Sequence, residues 1–257
     1  MQLIAKKSLK RSFSRYALTY DGASDFQRDA GMFLLKKISE DGFCCKSALD
    51  IGMGTGNITR ALAADTGADV LGCDIAWGMV AASRGMGGDI TAVQGDAEHL
   101  PFAGNSFDMV FSNIAYQWVP DLSRAFCDAA RVLKQDGRFY FSILSKGSLP
   151  ELYSVFKEAG DLMPPGNKIY AAVKDSGLKM LWGKRIVIRK YYDTSMDFLR
   201  ALKQVGAGRA ADTVLFGLGR RQRFLGMIGE YEKRFGGPDG VYATYEVEAG
   251  CAQKAYL

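Results

Sequence analysis

Residues 47–56 read Ser-Ala-Leu-Asp-Ile-Gly-Met-Gly-Thr-Gly, and this stretch decides the fold. A short apolar run ends at Ile51 in a cluster of glycines, and a helical segment over residues 57–64 follows. The spacing D-x-G-x-G-x-G differs from the G-x-G-x-x-G fingerprint of dinucleotide-binding proteins. Glycines let the backbone turn sharply and approach a ligand closely, and the helix N-terminus behind them favours a negative group such as a carboxylate. We therefore predict a strand, a ligand-binding turn and a helix.

Short strands and helices alternate outward from this turn. The pattern predicts further strands over residues 68–73, 90–94, 107–111, 138–144, 185–192 and 241–249. Helices over residues 77–84 and 122–133 separate the earlier strands. This alternation favours an α/β fold with a mostly parallel seven-stranded sheet, right-handed crossovers and helices on both faces. Because ligands of such sheets bind at the carboxyl ends of the strands, the residues that follow each strand are the candidates for a site.

The composition excludes several classes of function. The chain has 257 residues, of which 48% are hydrophobic and 24% charged, as in ordinary globular proteins. His99 is the single histidine, which excludes a multi-histidine metal site and leaves one residue for any Ser-His or Cys-His machinery. The five cysteines form no CxxC pair and no zinc spacing, so we expect no metal. A net charge of +5 is too small to indicate a nucleic-acid partner.

The sequence shows no pattern of export or membrane insertion. Residues 1–11 carry charge but precede no apolar stretch of the kind that a signal peptide has. The chain contains no run of about 18 apolar residues, the length that indicates a membrane helix. An odd number of scattered cysteines suits a reducing compartment. We therefore expect a cytoplasmic location and no membrane partner.

Acidic residues end the second and third predicted strands. Asp74 follows the second strand, where a carboxylate can accept hydrogen bonds from both hydroxyls of a ribose. Asp96 follows the third strand, where a carboxylate can accept a hydrogen bond from the amino group of an adenine. The apolar side chains of Ile75 and Met79 are positioned to flank that adenine. The three strand ends together indicate a site for an adenosine-containing ligand.

Taken in order, the glycine turn, Asp74 and Asp96 resemble the class I S-adenosylmethionine-dependent methyltransferases, which have a Rossmann-like sheet. The resemblance implies that the turn holds the methionine part of S-adenosylmethionine, that the first acid holds the ribose and that the second holds the adenine. S-adenosylhomocysteine would be the product. The cofactor-binding residues predicted on this basis are Asp50, Gly52, Gly54, Gly56, Asp74, Ile75, Met79, Asp96, Ala97 and Asn113.

Four further sequence segments indicate a particular family within these methyltransferases. They are Phe13-Ser-Arg-Tyr-Ala-Leu-Thr-Tyr-Asp21, Ser112-Asn-Ile-Ala-Tyr-Gln-Trp118, Gly147-Ser-Leu-Pro-Glu-Leu152 and Leu202-Lys-Gln-Val-Gly-Ala207. Together they resemble the malonyl-[acyl-carrier protein] O-methyltransferase family of biotin synthesis, from about Ser12 to Ala207. The resemblance implies methylation of the free carboxylate of malonyl on an acyl-carrier protein, after which fatty-acid enzymes elongate the chain toward pimeloyl.

A carboxylate acceptor suits the residues present. It is already ionised at neutral pH and needs no general base, so the lack of a second histidine is no obstacle. The reaction needs the acceptor oxygen and the methyl group held roughly 3–3.5 Å apart in a dry pocket. Tyr and Gln side chains can orient a carboxylate, Trp excludes water, and a cation would complete recognition of the malonyl group. The predicted catalytic residues are Tyr20, Gln117 and Trp118, and the predicted substrate-binding residues are Tyr16, Tyr116 and Lys203. Plain packing would equally explain Tyr16, and a solvated helix face would equally explain Lys203.

An acidic carrier protein would dock on a basic surface. Basic residues cluster at Lys184, Arg185, Arg189 and Lys190 and again at Arg220, Arg221 and Arg223, although both groups could be solvated faces. We expect a monomer of one domain with N-terminal helices over the active site (1–42), a cofactor-binding core (43–145), a helical lid insertion (147–183) and a closing segment (184–257). The alternatives are a small-molecule carboxyl methyltransferase of the trans-aconitate type and a non-catalytic cofactor-binding regulator.

Overall fold

The structure, a computed structural model, describes residues 2–87, 90–156, 163–207 and 221–255, with no side chains described for 2–5, 206, 207, 221 and 223. The α-helices described are α1 (Gln2–Tyr16), α2 (Asp25–Asp41), α3 (Asn57–Thr66), α4 (Trp77–Gly85), α5 (Leu122–Val132), α6 (Pro150–Val155), α7 (Gly166–Asp175), α8 (Ser195–Leu202) and α9 (Arg221–Phe235). The strands are β1 (Ser47–Ile51), β2 (Asp69–Asp74), β3 (Thr91–Gln94), β4 (Phe107–Asn113), β5 (Leu133–Leu144), β6 (Leu178–Tyr192), β7 (Gly236–Gly237) and β8 (Gly240–Lys254).

The strands form one sheet in the order β3-β2-β1-β4-β5-β8-β6, with the two-residue β7 paired to β8. Strands β1 to β5 run parallel, whereas β8 runs antiparallel to both β5 and β6. The predicted α/β fold with a mostly parallel sheet is confirmed, and β7 is an eighth strand that the sequence pattern did not predict. The parallel arrangement brings the carboxyl ends of β1 to β4 to one edge of the sheet.

Helices cover both faces of the sheet because successive side chains of each strand point to opposite sides. On one face, Phe126 of α5 is buried against Phe139 and Phe141 of β5, with ring centroids 5.3 Å apart in both pairs. On the other face, Tyr140 of β5 packs in a cluster with Leu34 of α2 and other buried residues of α2 and α3. The central strands are therefore buried on both sides, which explains their nearly continuous apolar sequences.

The N-terminal helices lie over the carboxyl edge of the sheet. The backbone of α1 touches α4, since a Cβ added at Gly78 would lie 2.5 Å from the Cα of Ser14. The Gly78 N–H also donates a hydrogen bond to Ser14 Oγ at 3.1 Å. Helix α2 is tied to the end of β4, because Asn113 Nδ2 donates to the backbone oxygen of Gln27 at 2.8 Å. These contacts place α1 and α2 around the strand ends where a ligand is expected.

The structure differs from the sequence pattern within residues 147–183. Strand β6 begins at Leu178 rather than at the predicted residue 185, and Met180 shares the core cluster with buried residues of α7 such as Ile169. Helix α7 follows Pro165 and packs in the same cluster as α5, so it connects β5 to β6 like an ordinary crossover helix. Gly183 and a register shift near Met180 interrupt the alternation of β6, which concealed its first part in the sequence. The division of the chain into a core and a lid stays a prediction.

The close approach of the glycine turn to the loop after β4 generates a stability prediction. Gly52 has φ +78°, and a Cβ there would lie 2.3 Å from Ala115 Cβ. Gly42, at the end of α2, has φ +58° with nothing within 4 Å of an added Cβ. We expect Gly42→Ala to lower the free energy of unfolding by about 1 kcal/mol through left-handed strain alone. Gly52→Ala adds overpacking to the same strain and should lower it by about 3 kcal/mol or more.

Urea unfolding of the two variants beside the wild type measures this difference. Equal losses of stability in the two variants would show that the approach of Gly52 to Ala115 is not a constraint.

Candidate active site

A cleft at the carboxyl edge of the sheet brings the predicted strand-end residues together. It encloses about 720 Å³, including space open to solvent. Seven of the predicted cofactor-binding residues line this cleft, namely Gly52, Gly54, Asp74, Ile75, Met79, Asp96 and Ala97. They come from the turn after β1, the end of β2 with the start of α4, and the loop after β3. The parallel sheet is what places these separate segments around one space.

Asp74 lies at the floor of the cleft and connects two turns. Its Oδ2 accepts a hydrogen bond from the Gly54 N–H at 3.0 Å, and its Oδ1 accepts one from the Ala76 N–H at 2.8 Å. Burial raises the pKa of Asp74 to about 6, although the backbone hydrogen bonds favour its ionised form. A carboxylate at this position is a strong acceptor for hydroxyl groups of a ligand.

Asp50 is buried beneath the glycine turn, does not line the cleft, and accepts a hydrogen bond from Thr59 Oγ1 at 2.6 Å. Burial, reinforced by the charge of Asp74, raises the pKa of Asp50 to about 7, while the bond from Thr59 opposes the rise. Asp50 therefore joins the end of β1 to α3.

Gly56 and Asn113 support the walls of the cleft without lining it. Gly56 has φ +85° at the start of α3, and a Cβ there would lie 2.7 Å from Ser83 Oγ. The Asn113 side chain donates to the Gln27 backbone and accepts from Ser142 Oγ at 2.7 Å. Because both ends of the Asn113 amide are occupied in this way, its placement suits a structural role.

Helix α1 contributes residues to the cleft that the sequence did not indicate, namely Lys6, Leu9 and Phe13. Lys6 Nζ pairs with Asp96 Oδ2 at 2.7 Å and also contacts the Glu98 carboxylate. Burial acts to raise the pKa of Asp96, but the hydrogen bonds from Lys6 and from the Glu98 N–H, together with the charge of Lys6, outweigh it and lower that pKa. Lys6 lies 90 positions before Asp96 in a basic stretch, so no local signal distinguished it from its neighbours.

A second chamber adjoins the cleft and has a volume of about 380 Å³, including space open to solvent. Tyr20, Ile114 and Trp118 line both spaces. The remaining lining residues of the second chamber are Phe26, Gln27, Gln117, Leu144, Leu149, Met163, Leu202, Val205 and Tyr245. Most of these side chains are apolar, so the chamber favours the exclusion of water around whatever meets the cleft at the shared wall.

The shared wall is aromatic and carries one hydroxyl, that of Tyr20. Phe13 packs edge-on against the rings of Tyr20 and Trp118, with centroids 6.3 and 6.2 Å away. Burial raises the pKa of the Tyr20 hydroxyl above its ordinary value, and the negative charge of Asp74 adds a smaller rise. The hydroxyl therefore stays protonated at neutral pH and can donate a hydrogen bond to an oxygen at the junction of the two spaces.

The other predicted catalytic and substrate-binding residues fall into two groups. Trp118 lies at the shared wall and Gln117 lines the second chamber. Tyr116 borders the cleft, but its ring is fully buried against Phe126 and its hydroxyl donates to the Ala125 oxygen at 3.4 Å. Tyr16 and Lys203 line neither space. Tyr16 is the last residue of α1, and Lys203 is the first residue of a π-helical turn after α8.

The first predicted basic cluster lies along β6 and is partly neutralised within the chain. Arg185 Nε pairs with Glu248 Oε1 at 2.8 Å, and Lys190 pairs with the Asp29 carboxylate. Lys184 and Arg189 are exposed, and Arg189 lies 4.5 Å from the centroid of a tyrosine ring. In the second cluster, Arg220 and the side chains of Arg221 and Arg223 lie outside the described residues.

The part of the chain that the structure describes lacks two features typical of other kinds of site. The described residues contain no group of three or more His, Cys, Asp or Glu side chains that could hold a metal ion. Within the same ranges, no helix is long and apolar enough to cross a membrane. The arrangement that is present suits the transfer of a group between two molecules, one in the cleft and one in the chamber.

Comparisons with known proteins show what the chain resembles. A methyltransferase-domain profile matches residues 49–141. The malonyl-[acyl-carrier protein] O-methyltransferase of Geobacter sulfurreducens is 31% identical over 98% of this chain and 100% of its own length. The biotin biosynthesis bifunctional protein BioHC of Cellvibrio japonicus is 34% identical over 95% of this chain and 49% of its own length.

A solved structure shows the same fold at low sequence identity. Phosphoethanolamine N-methyltransferase 2 of Haemonchus contortus, in complex with S-adenosyl-L-methionine, matches with a TM-score of 0.55 and 20% identity. The match covers 89% of this chain and 53% of that chain. Together with the domain profile, it confirms the predicted methyltransferase fold.

The raised pKa of Asp50 predicts how stability changes with pH. Because the folded state holds this proton up to about pH 7 and the unfolded state releases it near pH 4, folding becomes less favourable as the pH rises between them. Asp50→Asn removes the titration and keeps an acceptor for Thr59. We expect it to raise the free energy of unfolding at pH 8 by on the order of 2–4 kcal/mol, with little change at pH 4.

Urea unfolding at both pH values measures the effect, and the exposed Asp69→Asn is the matched control. A gain for Asp50→Asn that is the same at pH 4 and pH 8 would contradict this account.

Proposed function

The chain belongs to the malonyl-[acyl-carrier protein] O-methyltransferase family, as its sequence predicted, and from that membership we propose what its two spaces hold. We propose that S-adenosylmethionine binds in the cleft and that malonyl on an acyl-carrier protein extends into the second chamber. The chain would transfer a methyl group to the free malonyl carboxylate and produce the methyl ester for biotin synthesis. The observation that supports this proposal most directly is the shared wall at Tyr20 and Trp118, where the two spaces meet.

The residues of the cleft fit S-adenosylmethionine. Asp74 is a buried acceptor aimed at a cleft with apolar Ile75 and Met79 beside it, which suits a ribose next to an adenine. Gly54 leaves open the space beside Tyr20, since a Cβ at Gly54 would lie 3.6 Å from that ring. When bound, the cofactor supplies a methyl group on a positively charged sulfur and leaves as S-adenosylhomocysteine. We propose that Asp96 accepts the adenine amino group, next to its ion pair with Lys6.

The role of the chain toward the malonyl carboxylate is to orient it and keep it dry. The carboxylate is ionised at neutral pH, so no residue has to remove a proton. The protonated Tyr20 hydroxyl donates to one oxygen, while the rings of Phe13 and Trp118 exclude water and leave the other oxygen poorly solvated. A carboxylate loses hydration as it enters such a site, and its charge cancels against the cofactor's in the transition state. The apolar surroundings therefore favour the reaction.

The geometry changes the role predicted for Gln117. Its Nε2 donates one of its two N–H groups to the Ile114 backbone oxygen at 2.8 Å, and the atom of the amide left without a partner is the buried Oε1. An oxygen cannot donate to a carboxylate. We therefore assign the orienting hydrogen bond to Tyr20 and not to Gln117.

We propose that the acidic carrier protein docks on the exposed basic residues beside β6. Arg185 and Lys190 have acidic partners within the chain, whereas Lys184 and Arg189 are exposed on the same strand. Positive charge there would speed and orient the docking of an acidic carrier.

The test of the function is methylation of purified malonyl-carrier protein with S-adenosylmethionine, followed by mass spectrometry of the acyl arm. We expect the mass of one added methylene on the malonyl arm and none on an acetyl arm. Faster methylation of free malonate or trans-aconitate would support the small-molecule alternative. Cofactor binding without turnover on any of these acids would support the non-catalytic alternative.

Tyr20→Phe tests the orienting hydrogen bond. Loss of a hydrogen bond to a charged oxygen should lower kcat/KM for malonyl-carrier protein about 10- to 100-fold. Tyr140→Phe is the matched control, because that hydroxyl donates to Asp41 at 3.0 Å and lines neither space. Steady-state kinetics of both variants measure the difference, and unchanged kcat/KM in Tyr20→Phe would remove Tyr20 from the mechanism.

A further inference from the structure

Two glutamine side chains in the second chamber have hydrogen-bonding atoms without a partner. Gln27 is 7% exposed and Gln117 is 8% exposed, and both line the chamber. The Oε1 atom of each is buried and accepts no hydrogen bond among the described residues. A buried acceptor left unsatisfied costs roughly 1–3 kcal/mol, so two in one apolar chamber call for a ligand that donates.

Neighbouring groups hold these two residues in different ways. The Gln117 Nε2 is held by the Ile114 backbone oxygen, which leaves the buried Oε1 without a partner. The Gln27 side chain opposes the rise in the pKa of the Tyr20 hydroxyl, which places its amide near that hydroxyl. The Gln27 backbone is in turn anchored by Asn113. Each side chain therefore has a buried acceptor without a partner among the described residues, and rotation of the Gln117 amide would break its hydrogen bond to Ile114.

The ligand that satisfies these oxygens must carry N–H or O–H groups but little charge. An ionised malonyl group has no hydrogen to donate, and its thioester has none either. The phosphopantetheine arm behind the thioester carries two secondary amides, each with one N–H. An uncharged amide enters an apolar chamber at a much smaller desolvation cost than an ammonium group does.

We propose that Gln27 and Gln117 are specificity-determining residues that accept hydrogen bonds from the two amide N–H groups of the acyl-carrier arm. This inference rests on the proposed function and names the part of the substrate that the second chamber recognises by hydrogen bonding. Small dicarboxylic acids lack these amides and leave both oxygens unsatisfied. The chamber thus selects malonyl on an arm over a free acid by hydrogen bonding as well as by shape.

The experiment uses the full chain and malonyl-carrier protein whose arm carries the native amides or has one of the two amides replaced by an ester. The ester keeps the carbonyl and the length and removes only the N–H. We expect the wild type to methylate each ester arm about 10- to 100-fold less efficiently than the native arm, judged by kcat/KM. Gln27→Met should abolish discrimination against one ester arm, and Gln117→Met should abolish it against the other.

The discrimination is a ratio measured within one preparation of each variant, so a misfolded fraction cancels. Gln253→Met is the matched control, because the Gln253 amide donates to the Asp136 backbone oxygen at 3.3 Å and lines neither space. This variant should discriminate between the native and ester arms as the wild type does. Affinity for S-adenosylhomocysteine should be unchanged in all three variants. The inference would be overturned if Gln27→Met or Gln117→Met bound S-adenosylhomocysteine more weakly and still discriminated between native and ester arms as the wild type does. That result would assign the two glutamine oxygens to the cofactor.

Two further outcomes are separable. If the wild type methylates the native arm and both ester arms equally well, the inference is wrong and the proposed function stands. If the wild type does not methylate the native malonyl arm at all, the proposed function fails and the inference fails with it.

Discussion

The site depends on the carboxylate of Asp74, which holds two turns of the sheet edge together. One oxygen accepts from the turn after β1 at Gly54, and the other accepts from the start of α4 at Ala76. Together with hydrogen bonds from the Gly52 and Met53 N–H groups to the Cys73 oxygen at 2.7 and 3.2 Å, the hydrogen bonds of Asp74 hold the glycine turn against the end of β2. Burial keeps the pKa of Asp74 near 6, so the charge that a ribose would meet is available at neutral pH but is poorly solvated. Asp74 thus contributes both to the shape of the cleft and to its electrostatics.

The second chamber depends on a different set of contacts, those of the N-terminal helices. Asn113 at the end of β4 holds the backbone of α2 at Gln27, and Phe13 of α1 packs on Tyr20 and Trp118. The helices therefore close the cleft on one side and build the wall of the chamber on the other. A reaction between a cation and a carboxylate benefits from such an enclosure, since both ions are desolvated before their charges cancel. The acceptors at the strand ends and the apolar wall have distinct tasks in the same site.

Much of the fold followed from local pattern. The apolar run at 47–51, the glycines after it and the acids at Asp74 and Asp96 were visible because strands and turns leave short-range signals. The pattern failed where those signals were interrupted, as at Gly183 within β6. The burial of the Tyr116 ring also escaped the sequence, because an aromatic residue beside a strand end gives the same local pattern whether it is exposed to a ligand or buried.

The sequence by itself determined the alternation of strands and helices, the position of the glycine turn and the family. Each of these depends on residues that lie close together in the sequence. Only the tertiary structure decided that Lys6 meets Asp96 and that Gln27 and Gln117 share one chamber with Tyr20. The residues of each pair lie 90 positions apart, and no spacing rule joins α1 or α2 to the loops after β3 and β4. Their meeting results from packing the helices over the sheet edge.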